Sequence, residues 1–73
     1  MTKQELINKA IMEGIFEADG FRYVCQEYDY DNGIERLVKR ISLESLNRQY
    51  DEELKSADEI TGWETIATEI VKY

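Results

Sequence analysis

The sequence predicts a small α+β domain: a three-stranded antiparallel sheet with helices packed on one face, in the order α-β-β-β-α-α. Three observations carry this expectation. Thr2-x-x-Glu5 and Thr61-x-x-Glu64 are capping boxes, each followed by apolar residues at helical spacing. Asn32-Gly33 lies between two stretches rich in aromatic and β-branched residues, the pattern of a β-hairpin. The 73 residues contain no proline and four glycines, so no linker divides them and residues 1–73 form one domain.

The first helix is expected over residues 3–13, with Leu6, Ile7, Ala10, Ile11 and Ile15 on one stripe and Gly14 as the stop. Ile15-Phe16-Glu17 reads as a short strand that turns at Ala18-Asp19-Gly20 into a long strand starting at Phe21. With Asn32-Gly33 as a two-residue type I′ loop, both residues at positive φ, Asp31 faces Ile34, Asp29 faces Arg36, Tyr28 faces Leu37 and Val24 faces Ile41. Val24, Tyr28, Leu37 and Ile41 then share one apolar face, and Cys25 lies opposite Arg40 on the outer one. A loop at Asp31-Asn32 would pair Tyr28 with Glu35 and Val24 with Lys39, and splits the apolar pairs. Ser42 caps a second helix with Leu43, Leu46, Tyr50, Leu54 and Ala57 on its stripe. The third helix, opening at Thr61, buries Trp63, Ile66, Ala67, Ile70 and Val71. The expected core is Leu6, Ile7, Ile11, Val24, Leu37, Ile41, Leu46, Leu54, Trp63, Ile66 and Ile70.

Composition narrows function mainly by exclusion. Sixteen acidic residues against nine basic ones and no histidine give a formal net charge of −7. Such a chain repels nucleic acid and anionic membranes and is drawn to basic protein surfaces. Absence of histidine removes the commonest general acid/base and metal ligand. The paired carboxylates Glu52-Glu53 and Asp58-Glu59 sit where water screens them, and they lack the glycine-centred spacing of a calcium loop. The expectation is a non-enzyme with no cofactor and no metal. Cys25, the single cysteine, has no resolving partner, and Met1-Thr2-Lys3-Gln4-Glu5 does not start a signal peptide, so a soluble cytoplasmic protein is expected.

Part of the acid is expected to be internally paired: Glu44 with Arg48 and Asp51 with Lys55 along the second helix, and Asp29 with Arg36 across the hairpin, where Glu27 is diagonal to Arg36 and Arg40. Alternation places Glu27, Asp29 and Asp31 on one face of a strand, with Tyr28 and Tyr30 on the other. Carboxylates roughly 6.5–7 Å apart in such a row approximate the spacing of successive phosphates. Arginine recognises either group with the same bidentate fork. The candidate partner-binding residues are Glu27, Asp29, Tyr30, Asp31 and Glu35 on the hairpin and Glu52, Glu53, Asp58 and Glu59 beyond the second helix. The bland alternative is a solvated hairpin whose charges serve solubility.

The short length, the α-β-β-β-α-α order, the acidic hairpin Glu27 to Glu35 and the acidic segment Asp51 to Glu59 form a profile. In that profile the whole chain resembles small acidic anti-defence proteins of phages, in particular DNA-mimicking anti-CRISPR inhibitors of Cas9; no shared motif carries the resemblance. It implies an inhibitor that occupies a basic nucleic-acid-binding site of a host protein, such as a Cas nuclease, in the bacterial cytoplasm. It implies no direct contact with nucleic acid or membrane. The alternative is a non-enzymatic phage accessory protein or a homodimeric interaction module.

Overall fold

A computed structural model describes residues 1–73 as two helices and one four-stranded antiparallel sheet. The elements are α1 (Lys3–Glu13), β1 (Ile15–Ala18), β2 (Phe21–Tyr30), β3 (Gly33–Ser42), α2 (Leu43–Asp51), a 3-10 turn (Ala57–Glu59) and β4 (Glu64–Lys72). The strands lie in the order β1-β2-β3-β4, so each pairs with its neighbour in sequence. The architecture is α-β-β-β-β-α, and the expected third helix is instead an edge strand.

α1 forms where its signals place it. The Thr2 hydroxyl accepts from the Glu5 N–H, Glu5 reaches back to the Thr2 backbone, and Gly14 ends the helix at φ 82°. The turn that follows β1 has positive φ at both Asp19 (51°) and Gly20 (82°), the signature of a type I′ loop, and it sets Ala18 opposite Phe21.

The capping box at Thr61 misleads because a β-bulge hides the strand period. Val38 faces Ala67 and Lys39 faces Thr65, leaving Ile66 as the extra residue. Ile66 and Ala67 both pack toward α1. Apolar pairs at 66–67 and 70–71 therefore imitate helical spacing. Five of the nine residues of β4 (Thr65, Ile66, Thr68, Ile70 and Val71) are β-branched, which favours a strand.

The central hairpin also departs from expectation. Tyr30 pairs with Gly33, Asp29 with Ile34, Tyr28 with Glu35, Glu27 with Arg36 and Val24 with Lys39, so the loop is Asp31-Asn32. Neither loop residue has positive φ, nor does Gly33. Gly33 serves a different need: a Cβ there would fall on the Val71 carbonyl oxygen and lie 3.1 Å from Lys72 Cα. It is glycine because β4 passes too close for any side chain.

This register differs from the expected one by two residues, which preserves faces while changing partners. Val24, Tyr28, Leu37 and Ile41 still share a face, but it is not the face under α1. That helix lies over β1, β2 and β3 on the other side, where Ala10, Phe16, Tyr23 and Val38 form the main core with Leu6, Ile7, Ile11, Phe21 and Cys25 against them. Phe16 and Tyr23 stack at 4.9 Å between ring centroids. Cys25 is thus opposite Val38 at the edge of this core, not opposite Arg40.

A second, smaller core gathers on the opposite face around Ile41, with Leu46 of α2, Ile60, Leu43 and Trp63. The helices therefore do not share one face. Gln49 is the buried polar side chain of this region: Thr61 N–H donates to its Oε1 at 2.9 Å, and its Nε2 donates to the Thr61 carbonyl at 2.8 Å. Leu54 and Ile70, both expected in the core, are exposed, while Ile41 and Leu46 are fully buried as expected. Tyr50 is exposed, and α2 stops at Asp51 instead of carrying its stripe on to Ala57.

Candidate functional site

Hydrogen-bond alternation arranges the strands in transverse rows. On the α1 face the row Glu27–Arg36–Glu69 crosses β2, β3 and β4, and the row Asp29–Ile34–Val71 lies one step nearer the hairpin tip. On the opposite face the rows are Gln26–Leu37–Thr68, Tyr28–Glu35–Ile70 and Tyr30–Gly33–Lys72. The α1 core ends at Cys25, Val38 and Ala67; α1 flanks one further row through a groove it shares with Arg36 and Glu69, and past that row the sheet continues with no helix packed on it. This uncovered end is the candidate site.

Charge at the site is partly neutralised. Arg36 donates from Nε to Glu27 Oε1 at 3.0 Å and from Nη1 to Glu69 Oε1 at 3.4 Å. The hydrogen bond to Glu27 is the main reason the Arg36 guanidinium holds its proton more tightly than usual. Glu27, not Asp29, is therefore the partner of Arg36. Asp29, Asp31 and Glu35 form no ion pair within 4.0 Å. Of the proposed row of three carboxylates, Asp29 and Asp31 remain uncompensated. On the other face Glu35 stands between Tyr28, 43% exposed, and Ile70, 64% exposed, with Tyr30 one row beyond at 55%. Lys72 is the basic residue nearest the tip.

The second acidic group does not join the first. β3 spans about 30 Å from Gly33 to Ser42 at the rise of an extended strand. The segment from α2 to the start of β4 is anchored at the Ser42 end, through Leu46 and Ile60 on Ile41 and through Gln49 on Thr61. Glu53 pairs with Lys55 at 3.1 Å, and Glu59 accepts from the Ser56 hydroxyl and backbone N–H, which holds its carboxyl below the usual range. Glu52 and Asp58 are left exposed there without an ion pair. The expected pairs Glu44–Arg48 and Asp51–Lys55 do not form.

Tyr28 belongs to the site although its apolar periodicity marks it as core. The signal was the alternative loop at Asp31-Asn32, which sets Tyr28 beside Glu35. No three acidic or cysteine side chains converge on a point that could hold a cation. No helix is long and apolar enough to cross a membrane. Comparison with protein-family models, curated proteins and solved structures returned no match to this chain.

Proposed function

We propose that this chain is a non-enzymatic binding protein whose uncovered hairpin end docks on a basic protein surface of the kind that holds nucleic acid, acting as an inhibitor by occupancy. One observation carries the reading: the sheet extends past its own core and presents three uncompensated carboxylates, Asp29, Asp31 and Glu35, beside two exposed tyrosines. Neither apolar core of the domain reaches this extension. Clustered acid steers toward a basic surface, and tyrosine supplies rigid contact area at little entropic cost.

The test is binding of the full chain to a guide-loaded Cas9, the partner class the resemblance implies, and to an unrelated basic nucleic-acid-binding protein, at rising salt. Affinity should fall steeply with salt, and duplex DNA should compete. Asp31→Lys should weaken binding by about tenfold or more, since it removes attraction and adds repulsion. The matched control is Glu13→Lys, at the end of α1, and it should have little effect. Lys9 is unsuited as a control, because its ammonium sits 5.0 Å over the Phe16 ring of the core. Equal losses from Asp31→Lys and Glu13→Lys, or binding indifferent to salt, would remove the hairpin end from the interface.

A further inference from the structure

We infer that two copies of this chain associate through β4, antiparallel edge to edge about a two-fold axis, doubling the four-stranded sheet. This goes beyond docking on a basic partner and rests on different residues.

β4 is a free edge along its whole length. The Tyr73 N–H donates to the Asn32 carbonyl at 3.1 Å, and that bond fixes the alternation. Residues 67, 69, 71 and 73 turn their backbone groups toward β3, so those of Thr68, Ile70 and Lys72 face outward without a partner. The sheet's other long free edge, the distal half of β2, turns out the backbone of Glu27 and Asp29, and these acids guard it. Past the bulge, β4 turns out the backbone of Ile70 and Lys72, and its Glu69 is paired with Arg36. Pairing β4 of one copy in parallel with the β2 edge of another would bring Glu69 toward Glu27 and Asp29 on the same face, and in either direction β2 offers only the stretch beyond β1, from Gln26 to Tyr30.

Among the two-fold registers centred on Thr68, Glu69 and Ile70, one is self-complementary. Centring on Thr68 drives the bulge at Ile66 into the ladder. Centring on Glu69 sets two carboxylates directly opposite each other. Centring on Ile70 sets Ile70 against Ile70 and Thr68 against Lys72, each as a pair exchanging both backbone hydrogen bonds. The same register puts Tyr73 of one copy, 80% exposed, opposite Ala67 of the other on the α1 face. Ala67 lines a groove between α1 and β4 together with Ile7, Ile11 and Val38. An exposed aromatic ring thus meets a small residue at the mouth of a groove whose apolar floor is edged by Gln4, Asn8, Arg36 and Glu69.

Sedimentation equilibrium of the full chain from micromolar to millimolar concentration tests the assembly. A monomer–dimer equilibrium is expected, weakened about tenfold or more by Ile70→Lys, which opposes two ammonium groups. Asp31→Lys should leave it unchanged, so failure here and failure of basic-partner docking are distinguishable. In a Cys25→Ser background, Ile70→Cys should cross-link two copies on oxidation, because hydrogen-bonded partners have Cα atoms about 5.5 Å apart. Lys72→Cys should not, because its counterpart lies about 13 Å away along the strand. A chain that is monomeric throughout, one that grows into open-ended polymers, or equal cross-linking at positions 70 and 72 would overturn the inference.

Discussion

Gln49 and Cys25 show how single side chains are set by what packs around them. Gln49 is buried and closes a reciprocal pair with the part-buried backbone of Thr61, so Gln49→Ala should remove both bonds, at about 1 kcal/mol or more by urea unfolding. Burial pushes the Cys25 thiol up, and the nearby Glu27 carboxylate adds to it. The folded chain therefore binds this proton more tightly than the unfolded one. Its contribution to stability is complete below the ordinary thiol range and is lost as pH rises through the folded value. Alkylation of Cys25 by iodoacetamide at mildly alkaline pH should be slower in the folded chain than in urea. Glu59 has the opposite sign: its carboxyl is held low by Ser56, so its contribution is present above the ordinary carboxylate range and fades as pH falls. Ser56→Ala should move the Glu59 titration, followed by NMR, back upward.

At the level of elements, β4 and α2 reverse their expected importance. Leu46 is 2% exposed and joins Ile41 and Ile60, so Leu46→Ala should cost about 2–5 kcal/mol. Ile70 stands on an open face, so Ile70→Ala should cost the isolated chain about 0.5 kcal/mol or less. A contrast smaller than this between the two unfolding midpoints would count against the strand assignment. Gly33→Val attacks β4 from its partner, because the new side chain meets the Val71 carbonyl with nowhere to go. About 1–3 kcal/mol is expected, with lost protection of the β4 amides.

The molecule as a body is long and thin, with extents of 44 × 29 × 16 Å and a radius of gyration of 13.6 Å. About 11 Å is usual for a compact chain of this length. Only nine of the 73 residues are buried; eight lie toward the Ser42 end of the sheet or under α1, and the ninth, Gly33, is covered at the tip by the β4 backbone. Stability should therefore be graded along the long axis. Hydrogen exchange at concentrations below self-association should find the amides of Tyr28 and Glu35 opening at least about tenfold more readily than those of Val24 and Ile41. Uniform protection would mean that the hairpin end is held by something other than its own ladder.

What local chemistry decides was legible in the chain. α1 follows from a capping box, a stripe and a glycine stop, and each of these signals acts within a few residues. The Asp19-Gly20 turn and the Ser42 cap are equally local. The acidic, tyrosine-bearing hairpin was legible too, since alternation alone sets Glu27 and Asp29 against Tyr28 and Tyr30. The partners of those residues were not. Thr61 to Val71 satisfies both a helical and a bulged-strand pattern, and only a free edge of β3 needing hydrogen bonds makes it a strand. The hairpin register was settled by the same strand, because β4 requires a glycine beside Val71 and so takes Gly33 out of the loop. From that shift follow the Glu27–Arg36–Glu69 ladder, the freedom of Asp29, the seat of Cys25 opposite Val38 and the separation of the two acidic groups. Short-range backbone and capping preferences operate within one element and are written in its residues; strand partners, faces and charge compensation depend on contacts between segments distant in sequence, which only the assembled sheet supplies.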